Sequence, residues 1–391
     1  MRKIIFVVLA GLCFLAAPAQ SYKKLHFRSL VIDTHNDIPN RAIERNLVFD
    51  QDLRGKAHSD LQRLKEGGVD AQFFSIWCDG EETQPYAMAN RQIDSVLAWI
   101  NRNPVDMRQV FLAEEIPAYS KQKKLSVLLG VEGGHMIEND LGKLQAFYNR
   151  GVRYMTLTWN NSTAWASSAW DESTKPDSLK VKGLSSFGKA VVNKMNQIGM
   201  MVDLSHVGEE TFKDVMNISL KPALVSHSCV YNLCPHPRNL KDEQILAIGR
   251  NGGVIQLNFF SGFIDSTYER KTKVFTSAHR PEIDSLLQLN ARPYQVFEYL
   301  FETYPAEVAG IRPPLSMLMD HLDYIVKMIG VDHVGLGSDF DGINSTPQQL
   351  DDVTDFPVIT KMLLKRGYSK KDIRKILGGN LLRVFAENQP G

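Results

Sequence analysis

The stretch from Val31 to Asp37, VIDTHND, sets Asp33, His35 and Asp37 at every second position directly after an apolar run. Alternate side chains of an extended strand point to one side, so His35 and Asp37 converge on one point, with Asp33 lower down as support. Further polar residues close apolar runs elsewhere: Glu132 in LSVLLGVEGG, His206 in MMVDLSH, His227 in PALVSHS and Asp339 in HVGLGSDFDG. Imidazoles and carboxylates together suit a divalent metal, zinc in particular. Taken singly each is weak, since a lone strand-end histidine is more often a structural hydrogen-bonder and a lone glutamate a helix cap. Together, at the ends of different strands, they make a metal site the better reading. One catalytic zinc takes three protein ligands, so this set implies two ions sharing a carboxylate. His35, Asp37 and Glu132 would hold the first, and Glu132, His206 and His227 the second. The chemistry implied is hydrolysis by a metal-bridging hydroxide on a polarised carbonyl, with Asp339 free to accept and return a proton.

Residues so far apart in sequence need a frame that gathers strand ends. The chain supplies eight short apolar runs: SLVIDTHND, VDAQFFSIW, LSVLLGVEGG, VRYMTLTWNN, MMVDLSH, PALVSHS, GGVIQLNFF and HVGLGSDFDG. Between them the apolar period lengthens toward 3.6, as in Leu184, Phe187, Val191, Met195 and Ile198, which predicts intervening helices. Ser369 to Asp372 is a capping box for a helix carrying Ile373, Ile376 and Leu377. Eight alternating strands and helices predict one (β/α)8 barrel, whose catalytic groups gather at the C-terminal ends of the strands.

The ends of the chain and its composition limit the partners. Met1 to Gln20 begins with Arg2 and Lys3, runs apolar from Ile4 to Ala17 and closes on Ala17-Pro18-Ala19, the pattern of a secretory signal peptide. The expected division is a leader over 1–19 and a single barrel domain over 20–391. No other run approaches the ~18 apolar residues of a membrane span, so no stable membrane anchor is expected. A net charge of +1 gives nucleic acid no electrostatic hold. Cys78, Cys229 and Cys234 are too few for a disulfide framework, and a Cys229–Cys234 bridge is the minority expectation.

The motifs DTHNDIP, SDLQRLKEGGVDAQFFS, GVEGGH, GMMVDLSHV, VSHS, HPRNLKD, HVGLGSDFDG and GGNLLRVF, in this order over nearly the whole mature chain, resemble the membrane (renal-type) dipeptidases. These are zinc peptidases on a TIM barrel. Carried over by position, the resemblance makes His35 and Asp37 ligands of one zinc, His206 and His227 ligands of the other, and Glu132 the bridge. It gives Asp339 the acid/base role and Arg238 the substrate's C-terminal carboxylate. An arginine fork matches a carboxylate, and a clamp two residues from the metals restricts cleavage to dipeptides. The resemblance further implies two zinc ions per chain, tolerance of a D-residue at the C-terminal position, often a homodimer, and here a secreted protein of the bacterial periplasm.

One position departs from the family. Many members read LTLTH after the fourth strand, the histidine helping to polarise the scissile carbonyl; this chain reads MTLTWNNSTAW, with Trp159 there. An indole N–H still donates one hydrogen bond, and Asn160 or Asn161 offers another. Trp159 is therefore expected to line the substrate pocket and shift side-chain preference. Trp165 and Trp170 read equally as substrate wall or rim packing. His135 reads as a loop or supporting residue, His236 as orienting the Arg238 loop, and His58 and His321 as satisfying local hydrogen bonds. The connection from Phe260 to Leu322 is long for a crossover and suits a lid or an interface. Two other functions fit less well. Another binuclear barrel hydrolase, acting on a lactone, N-acyl amino acid or phosphoester, often carries a carboxylated lysine on the fourth strand, which is absent here. A catalytically idle, metal-bound binding protein does not explain why the ligands and Asp339 are all retained.

Overall fold

The computed structural model describes residues 17–289, 291 and 293–390. The leader expected over 1–19 therefore lies outside the described residues, apart from 17–19 at the start of the helix Ala17–His26.

Nine strands form one parallel sheet: β1 (Ile32–Asp33), β2 (Ala71–Trp77), β3 (Met107–Gln109), β4 (Leu125–Glu132), β5 (Val152–Thr156), β6 (Met201–Asp203), β7 (Leu224–Ser228), β8 (Val254–Leu257) and β9 (Val334–Leu336). The path runs β1-β2-β4-β5-β6-β7-β8-β9, with β3 paired onto the start of β4. It closes where the segment after β1 meets the segment after β9. The Thr34 amide donates to Leu336 O at 3.2 Å, the Asp339 amide to His35 O at 3.1 Å and the Asp37 amide to Phe340 O at 2.9 Å. The fold is the predicted (β/α)8 TIM barrel. β3 was not anticipated, being three residues long and outside the barrel path. β1 is also shorter than the run 29–37 suggested, so His35 and Asp37 stand on the paired extension beyond the strand.

Parallel strands covered by helices are buried on both faces, which is why they read as continuous apolar runs. One face of β2 and β4 packs outward on the helices through Phe74, Ile76, Leu129 and Val131. Inside the barrel, Ile32, Ala71, Phe73, Leu128, Tyr154, Met201, Leu224 and Val254 fill the lower end, closed by Leu381, Val384 and Phe385 of the helix Asn380–Asn388. Each buried side chain of this size contributes about 1.5–3 kcal/mol. The lower end is thereby a plug, and polar residues are left to the upper rim.

The helix Ser186–Ile198 buries Val191, Met195 and Ile198 as the spacing predicted, and Val192 besides, while Phe187 is only partly buried; it starts on the Ser185 cap and stops at Gly199 in the left-handed region. Ser369 caps the helix Lys370–Arg374. The long connection after β8 folds into helices, among them Tyr268–Ala278, Pro293–Thr303 and Pro305–Ile311, with a small core of their own: Phe275, Val296, Leu300, Phe301, Val308 and Ile311. Glu298 of this cap pairs with Arg41 and Arg45 of the helix Ile38–Arg45 that follows β1. The cap thus sits over the barrel mouth. Cys78, Cys229 and Cys234 are free and buried. No helix among the described residues is long and apolar enough to cross a membrane.

Candidate metal centre and substrate cavity

Glu132 ends β4 on the inward face of the barrel, and its two oxygens look in different directions. Oε2 lies 3.2 Å from His35 Nε2. Oε1 lies 2.8 Å from His206 Nε2 and 3.5 Å from His227 Nε2. Asp37 Oδ2 stands 3.4 Å from His35 Nε2, and Asp339 Oδ1 4.0 Å from the same atom. His35, His206 and His227 meet at the Glu132 carboxylate, and Asp37 joins them through His35 Nε2; the ligand atoms of His35, Glu132 and His227 lie close enough to hold one metal, and so do those of His35, Asp37 and Asp339.

The remaining hydrogen bonds decide what these atoms offer. Tyr154 Oη donates to Thr34 O at 3.0 Å, so it accepts from His35 Nδ1 at 2.9 Å. Ser226 Oγ donates to Asp203 Oδ2 at 2.6 Å and accepts from His227 Nδ1 at 2.8 Å. His206 Nδ1 faces the Asn160 Oδ1 acceptor at 3.1 Å. In the neutral form of each ring the proton is therefore on Nδ1, and each Nε2 points into the cluster as the atom whose lone pair a metal would take. Lone pairs then face carboxylate oxygens, and the His206 and His227 Nε2 atoms face each other at 3.1 Å. His35 Nε2 and Asp37 Oδ1 are buried with no hydrogen-bond partner. Acceptors crowded against acceptors out of water are costly unless a cation sits among them. The donor set of imidazole nitrogen and carboxylate oxygen fits zinc.

Electrostatics point the same way. Burial, with the positive field of Arg238 and His35, depresses His206 to about 3 and likewise holds His227 well below 6.5, which keeps both rings neutral, the form a metal would need. Burial opposes charge on His35 too, but Tyr154, Glu132 and Asp37 outweigh it and lift the ring well above its usual value. The field that draws a proton to His35 Nε2 draws any cation. Burial lifts Asp339 well above the carboxylate range, opposed by His35 and reinforced by Asp37 and Glu132.

Backbone conformation carries part of the positioning. His206 (φ 63°), Asp339 (φ 62°) and Asp341 (φ 68°) occupy the left-handed region, which non-glycine residues adopt at a cost repaid by their surroundings. Gly342 lies so close to the carboxylates that a Cβ there would be 2.1 Å from Asp37 Oδ2 and 2.8 Å from Asp339 Oδ1. Asp33 accepts from the Ser338 amide and hydroxyl, both at 2.7 Å, bracing the turn that carries Asp339. Burial pushes its carboxyl up to about 6.

Above the cluster opens a cavity of about 490 Å³. Arg238 enters it almost fully buried, with its Nε unpartnered and its guanidinium carbon 5.4 Å from the centre of the Phe263 ring. Trp159 also lines it, its ring 5.0 Å from Trp77 and 6.4 Å from His206. Asn160 lines the wall beside Trp159, whereas Asn161 is turned against Gly80 with a buried, unpartnered Oδ1. The tryptophans divide: Trp170 reaches the cavity, and Trp165 is 1% exposed and packs against Gly134 and Gly188. His135 Nε2 meets the Cys78 carbonyl at 3.2 Å. His58 and His321 bond main-chain groups, at the Asp341 amide for one and the Val230 amide and Ile264 O for the other. Sequence reasoning missed Asn258, whose Nδ2 donates to Asp339 Oδ2 at 2.8 Å, and the supporting Tyr154 and Asp203. The LNFF and VDLS motifs hold the Asn258 and Asp203 residues in plain view, but their partners are set by the closed barrel.

The family model for membrane dipeptidase, peptidase family M19, matches residues 19–390. Dipeptidase 3 of Macaca fascicularis is 32% identical over 363 residues, 91% of this chain, which spans 64% of that protein's length. An uncharacterized dipeptidase of Schizosaccharomyces pombe is 31% identical over 389 residues, covering 95% of this chain and 83% of its own. Among solved structures, PvdM of Pseudomonas aeruginosa superposes with a TM-score of 0.79 at 25% identity, over 96% of this chain and 99% of its own. A metallopeptidase of Rhodobacter sphaeroides, solved with a phosphinate mimic of L-Ala-D-Ala, shares the fold with a TM-score of 0.73 at 23% identity, over 92% of this chain and 99% of its own. From the ordered motifs, the barrel and the matched span, the chain is a member of the membrane dipeptidase family, peptidase family M19.

Proposed function

We propose that this protein is a zinc-dependent dipeptidase that takes dipeptides, L-D dipeptides included, as a secreted enzyme of the bacterial periplasm. The observation that carries the reading is the split environment of Glu132, one oxygen toward His35 and the other toward His206 and His227, beside a cavity that the buried Arg238 guanidinium enters. His35, Asp37 and Glu132 would hold one zinc, and Glu132, His206 and His227 the other. Bound there, the two ions supply an activated water and Lewis-acid polarisation of the peptide carbonyl.

The chain's own residues do the rest. Arg238 receives the terminal carboxylate as a two-pronged donor, which places the scissile bond one residue away, over Glu132. Asn258 fixes Asp339 Oδ2, leaving Oδ1 toward the cluster to take a proton and pass it to the leaving amine. Trp159 and Trp77 wall the cavity beside His206 and select the substrate's side chains. The Rhodobacter structure's dipeptide mimic ending in D-Ala supports acceptance of a D-residue. The test is amino-acid release from L-L and L-D dipeptides, matched tripeptides and N-acetyl dipeptides. Cleavage of dipeptides alone is expected; cleavage of N-acetyl dipeptides or lactones instead would move the assignment to another barrel hydrolase.

A further inference from the structure

We propose that His236 is a second donor to the substrate's terminal carboxylate, acting beside Arg238 on a shared aromatic shelf. This rests on the dipeptidase reading and adds a binding residue to it. His236 and Arg238 both line the cavity, and both pack on one ring: Phe263 lies 4.6 Å from the His236 ring and 5.4 Å from the Arg238 guanidinium carbon.

The loop that carries them is rigid. Asn239, 4% exposed, donates through Nδ2 to Cys234 O and to Phe263 O, each at 2.8 Å. This fastens the loop to the shelf, and the Asn239 amide returns to His236 O at 2.9 Å. The tautomer of His236 follows from the Arg238 main chain, whose amide donates to His236 Nδ1 at 3.1 Å. A nitrogen that accepts carries no proton, so the hydrogen sits on Nε2, the one group this ring can offer the cavity. Burial and the neighbouring Arg238 depress the ring to about 4, so it remains a neutral single donor at physiological pH.

A carboxylate has about four lone-pair sites. The Arg238 fork fills two of them and spends part of its capacity on His227 O at 3.4 Å. An imidazole N–H on the same shelf complements it. The ligand class is a free terminal carboxylate, not its amide.

His236→Asn and His236→Gln separate this from a purely structural role. Asparagine's Oδ1 takes the place of Nδ1 and still accepts the Arg238 amide as an Asx turn, but nothing reaches the Nε2 position. Glutamine's amide reaches that position and keeps the donor. With zinc-loaded enzyme, kcat/KM is measured for a dipeptide and for its C-terminal amide. H236N is expected to lose about 10- to 100-fold on the free dipeptide, the range of one hydrogen bond to a charged group, mainly through KM. No comparable loss is expected on the already slow amide, and H236Q should recover most of the activity. H236N as active as the wild type, or equally impaired on both substrates, overturns the proposal while leaving the dipeptidase reading intact. A wild-type enzyme that cuts no dipeptide overturns both.

Discussion

Tyr154→Phe removes one oxygen atom and tests how the first ligand is held. The hydroxyl lies between His35 Nδ1 at 2.9 Å and Thr34 O at 3.0 Å, fully buried. Phenylalanine keeps the ring, which packs 5.5 Å from Phe73 and sits in a notch where a Cβ on Gly130 would approach within 1.9 Å. The perturbation is therefore confined to the two hydrogen bonds. One buried donor, His35 Nδ1–H, loses its acceptor, which costs about 1–3 kcal/mol of stability. Loss of an outer partner of a metal-bound histidine lowers metal affinity about 10- to 100-fold, and here the effect should fall on one ion. Titration of metal-stripped protein against a chromophoric zinc chelator resolves two binding steps. In Tyr154→Phe the step assigned to His35, Asp37 and Glu132 should weaken by that factor, and the step assigned to His206 and His227 should move far less. Equal weakening of both steps, or none, would refute the assignment of His35's tautomer to Tyr154.

Other perturbations read different parts of the site and the fold. Gly342→Ala forces a methyl onto Asp37 Oδ2 and Asp339 Oδ1, so kcat should fall by ~10² as for an angstrom-scale misplacement; full activity would show that the carboxylates have room. Trp159→His should change the ratio of kcat/KM between dipeptides with aromatic and with small side chains by about 3- to 10-fold, the worth of an aromatic contact, and an unchanged profile and rate would remove Trp159 from the pocket. His26 bonds Thr360 Oγ1 and Gly67 O, both at 2.8 Å, and burial lowers its pKa below 6.5 against the raising effect of the Gly67 carbonyl. The unfolded chain then binds the extra proton first, so His26's contribution is complete above pH ~6.5 and lost as pH falls below it, with a slope of at most about 1.4 kcal/mol per pH unit. Melting temperatures at pH 5 and 7.5 should differ less in His26→Gln than in the wild type; an equal difference would assign the pH sensitivity to other groups.

What could be read in the sequence depended on how local its cause was. Buried parallel strands are apolar on both faces, so β2 and β4 announce themselves as AQFFSIW and LSVLLGVE. The candidate ligands were legible because each follows such a run. Strand limits were less so, since pairing beyond Asp33 is set by Leu336 and Phe340 some three hundred residues away. Separations of 81 and 119 residues likewise hid Asn258 from Asp339 and Tyr154 from His35. Tyr154 in VRYMT reads as an ordinary strand aromatic, and only barrel closure turns its hydroxyl toward an imidazole. Gly342, in a turn that reads as generic, owes its place to a carboxylate 2.1 Å from its missing side chain. The connection after β8 reads in sequence as a long insertion, but its seat over the mouth rests on Glu298 meeting Arg41 and Arg45.

In the proposed function Glu132 bridges two metal ions at the mouth of this barrel. Anomalous diffraction at the zinc edge, from crystals of zinc-loaded protein, tests it directly. Two peaks are expected on opposite sides of the Glu132 carboxylate, one against His35 and Asp37 and the other against His206 and His227. A single peak, or a pair that does not share Glu132, would contradict it.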